Sequence, residues 1–498
     1  MKTKRTLAAL LAAVLTAVTM LTALTACATG AGTADTGETT NSSAESTTEE
    51  LKDNLPDDLN YGGNEIIFIS RDIGMNLADE FFAESYTGDP VSDAIFERNK
   101  TVENRLGVKI TSLRDTDAIV DRVITSVNGG SADYDIMVEY CWLAAPRTIE
   151  GYFANLRDTD YVDFDQPWWT QSFNDVMLYG ELQFGVTGAM VLSTYRRTYS
   201  TVFNKNLFTD ANQAYPYEAV KNGTWTLDKQ SALVPLLARD DGDGVQSAEG
   251  DVFGFVSDDF ISVDPYWAAC EVDIIQKNAD GAYEWVFDSG KMHDVVEKIL
   301  KLYYNTNSGT YCVTEDDSFQ TQTRQMFADG YAAMATLCIH ALENTAVRSM
   351  TDEYGVVPMP KYDEKQTEYH SQMHDAFTIA CIPTTVSGDR LTQMSAVLEA
   401  MASASYNIVR PAYYETTLRT KIAQDPQSSE MMELIIDSIH IDAGLVFSHN
   451  MGSFHKGLQT VIVGKNNNTI SHFKTMTKTA TKSLNSLVNK LDKLTADP

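Results

Sequence analysis

Cysteine is scarce in this chain, with six in 498 residues. Cys27 closes an apolar leader. The other five, Cys141, Cys270, Cys312, Cys338 and Cys381, are scattered without a CxxC pair or the Cys/His spacing of a metal site. Five is an odd number, so a complete disulfide framework is excluded, and most of these thiols are expected to be small buried hydrophobes. Basic residues are also few: 38 Lys and Arg stand against 69 Asp and Glu, a formal net charge of −31. Nucleic acid needs Lys and Arg to neutralise its phosphates, so no nucleic-acid partner is expected. Enzyme signatures are missing too. There is no G-x-S-x-G, HExxH, P-loop or strand-following GxGxxG, and the eight histidines are scattered. The expectation is a protein that catalyses nothing. A glycosidase pair is defined by separation in space rather than in sequence, so a glycoside-active enzyme stays open as an alternative. Beyond the leader, no apolar run approaches the ~20 residues of a membrane span.

What is present starts with that leader. Residues 1–27 read MKTKRTLAALLAAVLTAVTMLTALTAC. A basic start precedes a long apolar run, the layout of a secretory signal. The end, Leu24-Thr25-Ala26-Cys27, resembles a bacterial lipobox, in which the cysteine is acylated and becomes the mature N-terminus. A lipidated Cys27 carrying more than one acyl chain would be a lasting anchor. Residues 28–60 are dominated by Thr, Ser, Ala, Gly, Glu and Asp, and are expected to form a disordered tether. Its reach would be on the order of 30 Å.

A length of 498 residues is too great for one core and suits two lobes. Glu65–Ser70 reads as a buried strand. Ser92–Leu106 reads as a helix with Ser92 as N-cap and Gly107 as its stop. Val108–Leu113 follows as a strand, Ile119–Val127 as a short helix, and Tyr134–Val138 as a third strand. Strands alternating with helices predict a parallel α/β sheet. Ligands of such sheets sit beyond the C-terminal strand ends, here Ser70-Arg71-Asp72 and Glu139-Tyr140-Cys141-Trp142. The stretch Tyr179–Phe208 opens with a tight turn at Gly180-Glu181. It then carries Tyr195, Arg196, Arg197 and Tyr199 on a β-prone segment. A core strand rarely bears such a polar cluster, whereas a strand crossing between lobes can.

Several segments resemble one family. They are DAIFERNKTVENRLGVKI at 93–110, QPWWTQSFNDVMLYGELQFGVTG at 166–188 and YGVVPMPKYDEKQTEYHS at 354–371. In order, and with the lipobox, they are similar to the lipid-anchored extracellular solute-binding proteins of bacterial ABC transporters, carbohydrate type, family 1-like. The resemblance implies an α/β, two-lobed, type II periplasmic-binding-protein fold, each lobe a mixed, mainly parallel sheet flanked by helices and joined by a hinge. Lobe 1 would be 61–197 plus 358–410, and lobe 2 would be 200–355 plus 411–498. The second crossover is expected at Gly355–Pro360. The amphipathic segment Ser471–Leu494 should pack on lobe 2. The implied function is capture of a sugar or oligosaccharide and its delivery to the permease subunits, by a monomer tethered to the outer face of the cytoplasmic membrane. A surface glycan-binding protein without a transport role is the alternative.

Sugar rings offer C–H faces to aromatic side chains and hydroxyls to fixed polar partners. Carried over by motif position, the expected ligand-binding residues are Arg71, Asp72, Glu139, Tyr140, Trp142, Tyr195 and Arg197 from the first part of the chain. Asp264, Tyr266, Trp267, His340 and Phe454 come from the second. For each, core packing or a plain surface position is the alternative. Trp168, Trp169, Trp225 and Trp285 read as structural. In Arg239–Asp251, Asp241, Asp243 and Gly244 match positions 3, 5 and 6 of a calcium loop. Arg239 at position 1 and Gly250 at position 12 do not. No cofactor is expected, with a structural calcium at Asp241 and Asp243 as the weaker alternative to an acidic surface turn.

Overall fold

A computed structural model describes residues 51–496 apart from 72–79, 116–118, 245–246, 249, 305–308, 315, 318, 420–425 and 466. The leader, Cys27 and Asp72 lie outside the described residues. Residues 51–60, expected to belong to the tether, are docked on the body. Leu55 is buried, and the Arg105 guanidinium grips the Asp53 carboxylate with both terminal nitrogens.

The first sheet takes its order from three consecutive β-units. Strands β1 (Asn64–Arg71), β2 (Val108–Asp115) and β3 (Ile136–Tyr140) pair in parallel, with β1 in the middle, as in Phe68 opposite Ile136 and Ile66 opposite Ile110. Side chains alternate between faces along a strand. Ile66 and Phe68 therefore enter one core with helix α1 (Pro90–Leu106) and the helix Asp389–Ala404, while Ile69 enters another with α2 (Ile119–Asn128). Burying each such side chain contributes about 1.5–3 kcal/mol. The start of α1 differs from expectation. Asp89 is the N-cap and accepts the Ser92 N–H, and Pro90 opens the helix, a position where proline's missing donor costs nothing. Gly107 ends it in the left-handed region (φ 59°).

The second sheet has strands β4 (Tyr199–Asn204), β5 (Phe255–Asp258), β8 (Thr310–Val313), β9 (Met334–Cys338) and β10 (Tyr354–Val357), in the order β10-β4-β9-β5-β8. β5 runs parallel to β8 and β9, and β4 antiparallel to β9 and β10. Between β5 and β8 lies a separate hairpin, β6 (Ile275–Lys277) and β7 (Tyr283–Trp285). The last strand, β11 (Thr378–Cys381), goes back to the first sheet and pairs antiparallel with β3.

Two segments therefore pass between the sheets side by side. Val186 exchanges both backbone hydrogen bonds with Ala380 of β11, and Tyr199 already pairs with Cys338 of β9. Between them, Ser193–Arg196 forms one helical turn rather than the predicted strand. The returning segment is not at Gly355–Pro360, because 354–357 is still hydrogen-bonded to β4 within the second sheet. It is 371–377: Tyr199 N–H donates to Gln372 O, and His374 N–H to Arg197 O (2.8 Å). A third passage follows Asp389–Ala404 through a wide π-turn, Ser405–Val409, and the helix Pro426–Asp437 packs on β10. The closing helix Thr469–Ala496 buries Phe473, Ala480, Leu484, Leu487 and Leu491 and packs on the helix Ser289–Tyr304. No described helix is long and apolar enough to cross a membrane.

Candidate functional site

A cavity of ≈ 270 Å³ opens beside the two passing segments. The first sheet supplies Tyr140, at the end of β3, and Trp142, in the first turn of α3 (Cys141–Thr148). Backbone bonds fix this corner to the returning segment: Cys141 N–H donates to Phe377 O and Trp142 N–H to Asp375 O. The passing segments supply Arg197, His374, Asp375 and Ala376. From the second sheet, Phe260, Ile261 and Asp264 follow the C-terminal end of β5, and Phe319 follows β8. His449, His455, Lys456 and Gln459 complete the wall, the last two from the helix Lys456–Val463. The wall thus gathers at the carboxyl ends of parallel strands, where open α/β sheets bind ligands.

Aromatic faces and polar groups alternate around the wall. Phe260 is 40% exposed at the mouth. Trp142 is half-buried, with its ring 5.0 Å from that of His449. Two carboxylates face the cavity in unlike surroundings. Burial, reinforced by the charge of Asp375, pushes Asp264 well above the usual carboxylate range. Gln459 Nε2 donates to both its oxygens, at 2.9 and 3.0 Å. Burial also acts to raise Asp375. A hydrogen bond from His374 and the charges of His374, His455 and Lys456 outweigh it and hold Asp375 well below the usual range. His374 Nδ1 stands 3.1 Å from Asp375 Oδ1 and 3.1 Å from the Ala376 nitrogen. Nδ1 donates to the first only when protonated and accepts from the second only when bare. Burial pushes His455 down to about 4, and its Nδ1 bonds the Ser448 hydroxyl.

Of the residues expected from sequence, Tyr140, Trp142, Arg197 and Asp264 line this cavity. Arg71 and Glu139 stand behind Tyr140. The Arg71 guanidinium lies 4.9 Å over the Tyr140 ring and 3.5 Å from Glu139, which is fully buried. Burial raises Glu139, against the Tyr140 N–H and Arg71. The other five sit elsewhere. Tyr195 is on the far side of the passing segments, stacked on Tyr413 at 5.7 Å. Tyr266 is fully buried edge-on to Tyr303. Trp267 and Phe454 belong to one aromatic core cluster with Phe287 and Phe473. His340 is buried behind Phe319, with Nδ1 3.2 Å from Arg196 O. Tyr266 and Trp267 follow the cavity-lining Asp264 within one turn, and the 4-residue helix Tyr266–Ala269 carries both into the core. Phe260, Phe319, His374, Asp375, His449, His455, Lys456 and Gln459 were missed. Their one sequence signal is the His374-Asp375 pair just past the 354–371 motif. Asp240, Asp241 and Asp243 converge on the surface, with one oxygen of each within 4.8 Å of the others. Much of that loop's bonding is internal, with Asp251 accepting the Asp241 and Ser247 N–H groups.

No family model matches the chain, and no curated protein matches it. Solved structures do. An ABC transporter solute-binding protein from Thermotoga lettingae, bound with alpha-D-tagatose, aligns over 85% of this chain and 100% of its own, with a TM-score of 0.54 and 14% identity. The fold is that of the two-sheet solute-binding proteins. The GacH receptor of Streptomyces glaucescens, solved unliganded and in complex with acarbose, covers 86% and 99% with a TM-score of 0.51 and 14% identity. An ABC substrate-binding protein from Listeria monocytogenes in complex with cycloalternan covers the same shares with a TM-score of 0.50 and 14% identity. By their own descriptions these three are binding proteins or receptors rather than enzymes.

Proposed function

We propose that the protein is the substrate-binding component of an ABC importer. It captures a carbohydrate in the cavity beside the passing segments and offers it to a membrane permease. The observation that carries this reading is the composition of the wall. Residues from both sheets and from the segments between them meet there, with Trp142, Phe260 and Phe319 as apolar faces among fixed polar groups. That mixture suits a sugar ring, and a wall split between two sheets can close by hinge rotation. Sugar-bound structures of the same fold support it. A lipidated Cys27 would keep the protein on the outer face of the membrane.

Thermal-shift screening across mono- and oligosaccharides is the test, because a ligand of the folded state alone raises its melting temperature. X-ray scattering on the best hit should show compaction. Cys27→Ala should leave the chain unlipidated, and either released or uncleaved. No stabilisation by any sugar would sink the reading. Asp264 and Asp375 favour a second reading, glycoside hydrolysis, since their surroundings push two cavity carboxyls apart in acidity. Product formation from an oligosaccharide panel would establish it, and intact sugar recovered from the complex would exclude it for that sugar.

A further inference from the structure

We propose that the sugar bound here carries a carboxylate, as a uronic acid does, and that Arg197 receives it. This rests on the reading of the cavity as a sugar site. Arg197 is 3% exposed and lines the cavity, with its guanidinium 5.1 Å over the Phe319 ring. Among the described residues no carboxylate lies within 4.0 Å of it and its side chain donates no hydrogen bond. The contrast with the other fully buried guanidiniums is direct. Arg196, its neighbour, holds both oxygens of Glu343 at 2.9 Å. Arg98 donates to Asn99 Oδ1, Met190 O, Ser405 Oγ and Phe81 O. Among these three, Arg197 alone directs its guanidinium into a cavity with no hydrogen-bonding or carboxylate partner among the described residues, and a guanidinium so placed is free to bind a carboxylate.

The acids nearby are already engaged. Both oxygens of Asp264 accept from Gln459. Asp375 is bracketed by His374 at 3.1 Å and His455 at 3.9 Å. Glu139 faces Arg71, and Glu80 accepts the Thr378 hydroxyl at 2.8 Å. Lys456, exposed at the rim, has no described carboxylate within 4.0 Å, although its charge helps keep Asp375 ionised, and it adds a second cation to the wall. A planar fork suits a carboxylate, which it binds through two parallel hydrogen bonds. A volume of ≈ 270 Å³ lies just under the range of about 300–1,000 Å³ usual for small-molecule sites, which favours one or two rings over a long chain.

The experiment is calorimetric titration of the full-length protein with D-glucuronate and D-galacturonate against D-glucose and D-galactose, and with the uronate-ended disaccharides against their neutral counterparts. The acidic member of at least one pair should bind about tenfold or more tighter, as charged hydrogen bonds do, and added salt should shrink that margin. Arg197→Gln should abolish the margin between acidic and neutral sugar, whatever it does to the neutral sugar's own affinity, and Lys456→Gln should reduce it in part. Should Arg197→Gln fail to fold, the wild-type margin, its salt dependence and Lys456→Gln decide the matter. Neutral sugars binding as tightly as their acids would overturn the carboxylate assignment and leave the sugar reading intact. Failure of every sugar to bind would overturn both.

Discussion

Trp142 and Trp267 carry the same side chain to different surroundings. Trp142 stands half-buried in the cavity wall, and Trp267 is 1% exposed among Phe287, Phe454 and Phe473. Trp142→Ala should weaken sugar binding by about 1–3 kcal/mol, the range of aromatic stacking contacts, with little loss of melting temperature. Trp267→Ala should cost about 3–5 kcal/mol of stability. Titration and urea unfolding of both variants check this, and the reverse pattern would exchange their roles. Residue type alone could not separate them, because the deciding quantity is burial after folding. Arg196 and Arg197 teach the same lesson. On the expected strand they would point to opposite faces. In the helical turn that forms, they sit about 100° apart, so Arg196 reaches Glu343 and Arg197 reaches the cavity. His374, His449 and His455 look scattered in sequence, and only the approach of the helix Lys456–Val463 to the returning segment brings them together.

At the scale of elements, the first five were legible because each carries its own period and stop signal. Alternating apolar residues marked β1, and the helical spacing ending at Gly107 marked α1. The chain returns later than its sequence suggests, since VVPMP reads as a loop while Val356 and Val357 pair with β4. The helix Asp389–Ala404 holds a buried acid. Glu399 accepts from the indole nitrogens of Trp168 and Trp169, both at 3.1 Å. Burial raises its carboxyl from 4.5 to about 8, against the hydrogen bonds from Asp163, Trp169 and Trp168. The folded state therefore binds the proton more tightly than the unfolded chain. The associated stability is fully present below about pH 4.5 and is lost as pH rises through about 8. Urea unfolding across that window should show a decline in the wild type that is absent from Glu399→Gln. Parallel profiles would mean that the two indoles keep Glu399 ionised throughout.

Across the whole molecule, the fold class was readable from the alternation of strands and helices, while the cavity was not, because its wall comes from at least five separated segments. The first sheet depends on chain from both ends of the sequence. β11 lies against β3, and the helix Asp389–Ala404 covers the face that β1 and β3 share with α1. A chain ending at Val357 keeps all five strands of the second sheet but loses both of these partners. Such a truncation should leave amides of β1 and β3 rapidly exchanging and bind the dye ANS, as exposed apolar surface does. Protected β1 amides in that fragment would show that the first sheet stands without its late additions.

That interleaving has a kinetic side. During synthesis, β1, β2 and β3 leave the ribosome early, yet the edge of β3 has no neighbour until Thr378–Cys381 has been made. Until then an apolar strand, Ile136-Met137-Val138, presents open backbone donors and acceptors, the template on which chains join edge to edge. Pairings between residues so far apart in sequence are slow to form. The first sheet therefore cannot close its β3 edge until the chain has been made through Cys381.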